Sequence, residues 1–462
     1  MFSEFYYVGS GLAPITFTFD ASKHPGIKRP SFDNTKYRVS TKEFNNSVPY
    51  EFHRTTYKVK GDILVVTSGS RFKQHEKAGV SLLDRDLNEK FFRNLNINEY
   101  GATAFDSSTN EFYFVGKDMS KKPFMDNKKE LYKVHVDTNT GFGTPIKVQD
   151  FDSNISALSY HPKTGTLAVV TLTSVTFIQK GKLDTKKIPE QTQLLKAANF
   201  DENSGSNLFG SQYNTNEPYE LLPMDDGSFV LNADGKASKK GEKYYGLMVA
   251  INPQATSDSI VKILEESGVQ EPSLASSAAH TNGTLIARVN KNDHKDYSYA
   301  HSLTYNNGTI TKVNQPVNTD DVSGWGNLFV TENNLVMSLN GHNGKLEWRN
   351  AETFKLEEDM APIAIPNGSK TYEHIHGPIL QLDEGTFYVP SYDPSEGDGE
   401  EVFALRKVFD PEFDSQIDRD SHTEKNVETE KTPWWTTVLS VLGALSLVGA
   451  ILTFVFNFVV KP

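Results

Sequence analysis

His374 and His376 are the residues whose spacing comes nearest to metal chemistry. Two positions apart on an extended strand, their imidazoles share one face, as ligands of a common ion must. Two ligands do not make a centre. A carboxylate such as Glu373 or Asp106 has to join them, and the alternative is a pair of ordinary histidines at a strand edge. His161 and His280 each fall at a hairpin turn, which points to a turn role. The run from Asp393 to Glu401 gathers carboxylates as Ca²⁺ requires, yet lacks the ligand spacing of an EF-hand loop and reads as an exposed acidic loop.

Other chemistries are excluded by absence. No Gly-x-Ser-x-Gly elbow, phosphate-cradling Gly-x-x-x-x-Gly-Lys or His-Glu-x-x-His stretch occurs. Gly9-Ser-Gly11 and Gly324-Trp-Gly326 lack the remaining glycine of a dinucleotide fingerprint. With no cysteine there is no thiolate nucleophile and no Cys-ligated zinc or iron–sulfur site. No catalytic residue is assigned and no cofactor is expected.

Cations form a second pattern. Arg71, Lys73 and Lys77, then Lys121, Lys122, Lys128 and Lys129, then Lys239, Lys240 and Lys243, then Lys291 and Lys295 all fall between the second and third strands of a recurring unit. If those connections share one end of the fold, they give a basic face on a chain whose formal net charge is −12. The expected partner of such a face is an acidic protein. The alternative is that loops are lysine-rich in any case. Overall acidity argues against a general nucleic-acid binder.

The elements that carry these residues recur between Tyr50 and Phe409. Each copy has an apolar strand, a tight polar turn, a second apolar strand, a variable loop, and a third strand running into Asp or Asn. About seven copies appear, at roughly 45 to 65 residues, close to the 40 to 50 of a four-stranded blade. Asp-Gly, Asn-Gly and Thr-Gly pairs sit where the first hairpin must turn with positive φ. The last copy, ending at Val402-Phe-Ala-Leu-Arg-Lys-Val-Phe, offers only three strands. The unassigned Ile15-Thr-Phe-Thr-Phe supplies the missing one, so the ring closes through an N-terminal strand. The fold expected is all-β, a propeller of about seven blades over residues 1–409. Six or eight blades, or a pair of β-sandwiches, are the alternatives.

Segments such as His161-Pro-Lys-Thr-Gly-Thr-Leu-Ala-Val-Val resemble the lactonase-like and WD-repeat propellers, although the WD dipeptide and its Gly-His partner are missing. The lactonase resemblance implies a hydrolase with bound metal and channel carboxylates, as an alternative to a binding platform.

Residues 410–433 are dominated by charge and read as an acidic flexible stalk. From Val438 to Val460 there is no charge. At 1.5 Å per residue that is about 34 Å of helix, enough to cross a hydrocarbon core of about 30 Å. Trp434 and Trp435 border it on one side and Lys461 on the other, so residues 434–462 are expected to be a single-pass transmembrane anchor. The first residues lack the basic start and apolar core of a secretory signal. Together these features imply a tail-anchored protein whose folded domain faces the cytosol.

That architecture is similar to the exchange factor of the endoplasmic reticulum for the vesicle-coat small GTPase, a propeller followed by a membrane helix. The resemblance implies a small GTPase as partner and the endoplasmic reticulum as location in a eukaryote. Thr67-Ser-Gly-Ser-Arg-Phe replaces that family's glycine-rich, potassium-binding loop. The first reading is therefore a membrane-anchored, cytosol-facing propeller that binds proteins.

Overall fold

The computed structural model describes residues 2–4, 15–17, 38–44, 47–49, 56–69, 79–95, 97, 101–116, 129–203, 208–209, 219–238, 244–256 and 259–264, with strands and short turns from there to 411. The chain divides into Met1–Asp410 and Pro411–Pro462. His374, His376 and the apolar segment Val438–Val460 lie outside the described residues. Among those described, no helix is long and apolar enough to cross a membrane.

The first unit is an all-β, propeller-like fold. Besides a small hairpin, its described strands form seven antiparallel sheets of four to six strands, consecutive in sequence apart from the last. Thr56–Val59, Asp62–Gly69, Gly79–Leu83 and Glu89–Asn94 form the first. The second is built on Thr103–Asp106, Glu111–Val115 and Glu130–Asp137, with Ile146–Asp150 outside them. The third runs Ile155–His161, Thr166–Thr171, Ser174–Gln179 and Lys182–Lys187.

Sheets stacked on both sides need apolar residues on both faces, which is why the strands read as continuous apolar runs rather than as an alternation with polar residues. In Thr166–Thr171, Leu167 and Val169 pack towards the second sheet with Ala104, Tyr113 and Leu131. Ala168 and Val170 pack towards the fourth with Leu221, Phe229 and Leu231. The first sheet repeats the division. Leu64 and Val66 join Phe112 and Phe114 of the second sheet, while Ile63 and Val65 join Leu382, Tyr388 and Leu405 of the seventh. First and last sheets are thus in contact, and the innermost strands Leu380–Asp383 and Thr56–Val59 lie side by side.

The Asp or Asn at the end of the third strand of the first, second and fourth sheets has a local reason. Asp84 Oδ1 accepts the backbone N–H of Asp86 and of Asn88, at 2.9 and 2.8 Å. Asp137 does the same for Asn139 and Thr140, and Asn252 for Gln254. A short carboxylate or amide here satisfies backbone donors that the turn leaves without sheet partners. Gly165 and Gly227, in the first hairpins of the third and fourth sheets, adopt φ of 64° and 87°, the left-handed region that the Thr-Gly and Asp-Gly pairs predict.

The expected closing strand is corrected. Ile15–Phe17 pairs with Phe2–Glu4, and the outer strand of the seventh sheet is Arg38–Phe44, in register with Glu401–Phe409 from Arg38↔Phe409 to Phe44↔Phe403. Chain continuity explains the choice. Three residues beyond Phe44 the chain pairs as Ser47–Pro49 with Asp62–Gly69 of the first sheet, so the closing segment must abut that sheet in sequence. Ile15–Phe17 is too far upstream and only three residues long.

Side chains reinforce the closure. Arg406 is buried and donates from Nη1 to Thr41 Oγ1 at 2.8 Å. The third-to-fourth-strand turn of the first sheet grips the seventh: Arg85 Nη2 donates to Thr386 Oγ1 at 2.6 Å, and Tyr388 donates to the Arg85 carbonyl at 2.7 Å. The buried Lys407 ammonium lies 2.7 Å from Asp86 Oδ1 and 4.4 Å from the centre of the Phe409 ring.

Removing residues 1–37 should leave the melting temperature of the folded unit nearly unchanged. Removing residues 1–44 should lower it by on the order of 5 °C, because the edge of Glu401–Phe409 is then unpaired. Differential scanning calorimetry of the two truncations checks this, and equal melting temperatures would remove Arg38–Phe44 from the closure. Asp86→Ala should cost about 0.2–1 kcal/mol, because the carboxylate of the Lys407–Asp86 pair is largely exposed. The double variant Asp86→Ala, Lys407→Met should recover much of that loss.

Candidate functional site

Of the cations picked out in the sequence, Lys129 is described. It immediately precedes the third strand of the second sheet, Glu130–Asp137, and its Nζ donates to the carbonyl of Asp152 at 2.8 Å. Its own carbonyl accepts the N–H of Phe151. It therefore ties its connection to the start of the third sheet. Arg71, Lys73, Lys77, Lys121, Lys122, Lys128, Lys239, Lys240, Lys243, Lys291 and Lys295 lie outside the described residues. So does most of the acidic run 393–401, whose two ends pair as Pro394↔Glu401 and so form a hairpin.

The described strands do fix where each cation-bearing connection starts and ends. These segments join Gly69 to Gly79, Val115 to Glu130, Ser238 to Tyr244 and Asn290 to Ser298. Each is the passage from a second strand to a third, and in an antiparallel sheet that passage lies opposite the first-to-second and third-to-fourth turns.

The turns of neighbouring sheets meet one another. Asp137, in the second sheet, is held below the ordinary aspartate range by the backbone N–H groups of Asn139 and Thr140 and, more weakly, by the charge of Lys60 in the first sheet's turn. Tyr160 of the third sheet donates to Ser108 Oγ of the second at 3.0 Å. Lys163 of the third forms an ion pair with Asp225 of the fourth. Ser228 of the fourth shares a hydrogen bond of 2.7 Å with the Tyr305 hydroxyl of the fifth. From the first sheet to the fifth, the turns therefore lie at one end.

The richest polar cluster at that end surrounds Asp106, where the second and third sheets meet. Ser108 Oγ donates to Asp106 Oδ1 at 2.6 Å, and Thr109 Oγ1 to Oδ2 at 2.8 Å. Nearby, Glu111 accepts from Tyr113 at 2.9 Å and pairs with Lys133 at 2.7 Å. Burial pulls the Asp106 carboxyl upward, but hydrogen bonds from Ser108, Thr109 and Tyr160 outweigh it and leave it below the ordinary aspartate range. Burial and then the charge of Glu111 push the Tyr113 hydroxyl well above the ordinary tyrosine range. A carboxylate made less basic and a phenol made less acidic are the reverse of a general base and an activated nucleophile. As the carboxylate that would complete a His374–His376 centre, Asp106 already has both oxygens engaged in its own turn.

His161 is built in the same way. It is 2% exposed. Its Nε2 lies 2.6 Å from the Met224 carbonyl of the fourth sheet, and Nδ1 accepts the N–H of Thr164 at 3.3 Å. With a carbonyl on one nitrogen and an N–H donor on the other, the ring is held as the Nε2–H tautomer. Its edge meets Phe229, with centroids 5.6 Å apart. The turn role expected for His161 is what the structure has.

Among the described residues there is no group of three or more His, Asp or Glu able to hold a metal ion. Sequence reasoning missed the tyrosine–hydroxyl contacts between sheets. For Tyr160–Ser108 and Tyr305–Ser228 the trace is a serine two residues after a turn aspartate, in Asp106-Ser-Ser and Asp226-Gly-Ser.

Asp106→Asn should lower stability at pH 7 relative to the parent. A carboxyl whose folded pKa is depressed stabilises the fold above its unfolded value of about 3.9, and that contribution is lost as pH falls through the folded pKa. The two melting curves should therefore converge below about pH 4, and a constant gap between them would show that charge is not what Asp106 contributes.

No protein-family model matches the chain, and no curated protein matches it. Three solved structures are similar to it at low identity. A prolyl endopeptidase does so at 12% identity and a TM-score of 0.41, over 80% of this chain and 46% of that one. The chain thus spans about half the length of that enzyme. A protein from Dyadobacter fermentans matches at 10% identity and a TM-score of 0.38, over 79% of this chain and 100% of that one. The PQQ-bound aldose sugar dehydrogenase of Streptomyces coelicolor matches at 11% and 0.36, over 80% and 98%. At these scores nothing of their chemistry transfers, and the propeller-like assignment rests on the sheets themselves.

Proposed function

We propose that this chain is a seven-bladed propeller, anchored to a membrane by residues 434–462, that binds an acidic protein partner through its cation-bearing connections on the cytosolic side. The observation that carries the reading is the division of labour between the two ends of the sheets. At the turn end, the side chains of Asp106, Ser108, Tyr160 and His161 are engaged with backbone or with the neighbouring sheet, and Asp106 and Tyr113 are tuned away from catalysis. The passages from second to third strand leave the opposite end and carry Arg71, Lys73, Lys121, Lys122, Lys239, Lys240 and Lys291. A propeller suits this task because connections distant in sequence converge on one broad surface.

Cations at the rim of an interface act mainly on encounter with a partner of opposite charge. Reversing Lys121, Lys122, Lys239 and Lys240 to Glu should slow association with partners recovered by proximity labelling about tenfold at low salt. Dissociation should change little. The parent's association should weaken as added salt shortens the Debye length from about 10 Å at 0.1 M to about 3 Å at 1 M. Surface plasmon resonance over a salt series measures both, and identical rates for parent and variant would place the binding surface elsewhere.

The anchor is tested separately. Deleting Trp434 to Pro462 should move the protein from the carbonate-washed membrane pellet to the supernatant in folded form. Retention in the pellet would refute the anchor without touching the binding face.

A further inference from the structure

The outermost strand of the third sheet, Lys182–Lys187, pairs along one edge with Ser174–Gln179 and, among the described residues, with no other strand. Five of its six residues are exposed, so the backbone groups of its free edge face solvent. A free edge is a template for another extended chain.

Its charges separate it from the outer edges of the first and second sheets. In the second sheet's outer strand, Lys147 is held by Glu130 at 2.8 Å and Asp150 at 2.7 Å. In the first sheet's outer strand, Lys90 is held by Asp62 at 2.6 Å. On the third sheet, Lys180, Lys182 and Lys187 are exposed, and none of them makes an ion pair among the described residues. Lys186 is already engaged, donating to the carbonyls of Pro253 and Ala255 in the fourth sheet. Asp184, 3.6 Å from Lys186, is the only acidic residue of the strand.

Lysines on an edge disfavour pairing with a second copy of the same edge, because like charges then stand opposite one another. The same lysines favour a strand that brings carboxylates, each matched cross-strand pair contributing about 0.2–1 kcal/mol. Leu183, 45% exposed beside Lys182, offers an apolar contact to a residue of the incoming strand. We infer that Lys182–Lys187 accepts an acidic, extended segment of a partner protein as a fifth strand of the third sheet. Backbone hydrogen bonds would supply affinity, and Lys182 and Lys187 would select for acidity. This surface is distinct from the cation-bearing connections of the proposed binding face.

The test uses the full chain in detergent micelles and a fluorescein-labelled twelve-residue peptide of alternating Glu and Val, followed by fluorescence anisotropy. The parent should bind the peptide. Lys182→Glu with Lys187→Glu should weaken binding at least tenfold with an unchanged melting temperature, since both side chains are exposed. A peptide N-methylated at alternate residues should bind at least tenfold more weakly to the parent, because it cannot complete the ladder. The variant with Lys121, Lys122, Lys239 and Lys240 reversed should bind the unmethylated peptide like the parent. The inference is overturned by no binding to the parent, by equal binding of the double variant, or by equal binding of the methylated peptide, which would mark a cationic patch without strand addition. Loss of binding in the quadruple variant overturns it too, by moving the peptide to the connections. That result would leave the proposed binding face standing, so the two readings fail separately.

Discussion

The pairing of Arg38–Phe44 with Glu401–Phe409 is the constraint on which the rest of the folded unit depends. Each of the first three sheets buries both of its faces against neighbours, so an end to the series would expose an apolar face as well as a strand edge. Joining the last sheet to the first removes both. The side chains at this junction show how much is concentrated there: Arg406 and Lys407, both buried cations, are satisfied by Thr41 of the closing strand and Asp86 of the first sheet. Placing them there is favourable only because partners from distant parts of the sequence arrive in register.

Moving away from the junction, the same logic recurs in smaller form. One hairpin turn supplies a hydroxyl, a carbonyl or a carboxylate, and the adjacent sheet supplies the donor or acceptor that matches it. Tyr160 with Ser108, His161 with Met224, and Ser228 with Tyr305 are three versions. Arg93 of the first sheet donating to the Phe142 carbonyl, and Lys186 of the third to Pro253 and Ala255, repeat it from the outer strands. Apolar contact between sheets is non-directional and tolerates sliding. Hydrogen bonds of fixed geometry do not, so they set the stagger of one sheet against the next. Residues engaged in this way are poorly placed to act on a substrate, which is why the reading of function turns to the other end.

What was legible in the sequence follows from which interactions are local. The aspartate or asparagine at the end of several third strands could be read because an Asx turn is completed within a few residues, as at Asp84, Asp137 and Asn252. Glycines with positive φ were readable for the same reason. The closing strand was mistaken because Ile15-Thr-Phe-Thr-Phe is the more apolar candidate. An outer strand meets solvent, however, and the mixed Arg-Val-Ser-Thr-Lys-Glu-Phe suits that place better. The role of Asp106 was not visible, since nothing in the sequence says that Tyr160 stands beside its turn. Nor were the lone lysines of the third sheet's edge, because charge counts do not reveal which lysines have partners.

The span between Arg38 and Phe409 also sets an order of events during synthesis. The strand that completes the last sheet is made before every other strand of that sheet, and its partner emerges about 360 to 370 residues later. At roughly 5–20 residues per second, that interval is on the order of 20 to 70 seconds. Throughout it the early strand has no native neighbour on which to pair, and the growing stack of sheets ends in an open apolar face. The polar composition of Arg38–Phe44 is then useful twice: it tolerates solvent in the finished protein, and it is a poor seed for aggregation while the chain is incomplete.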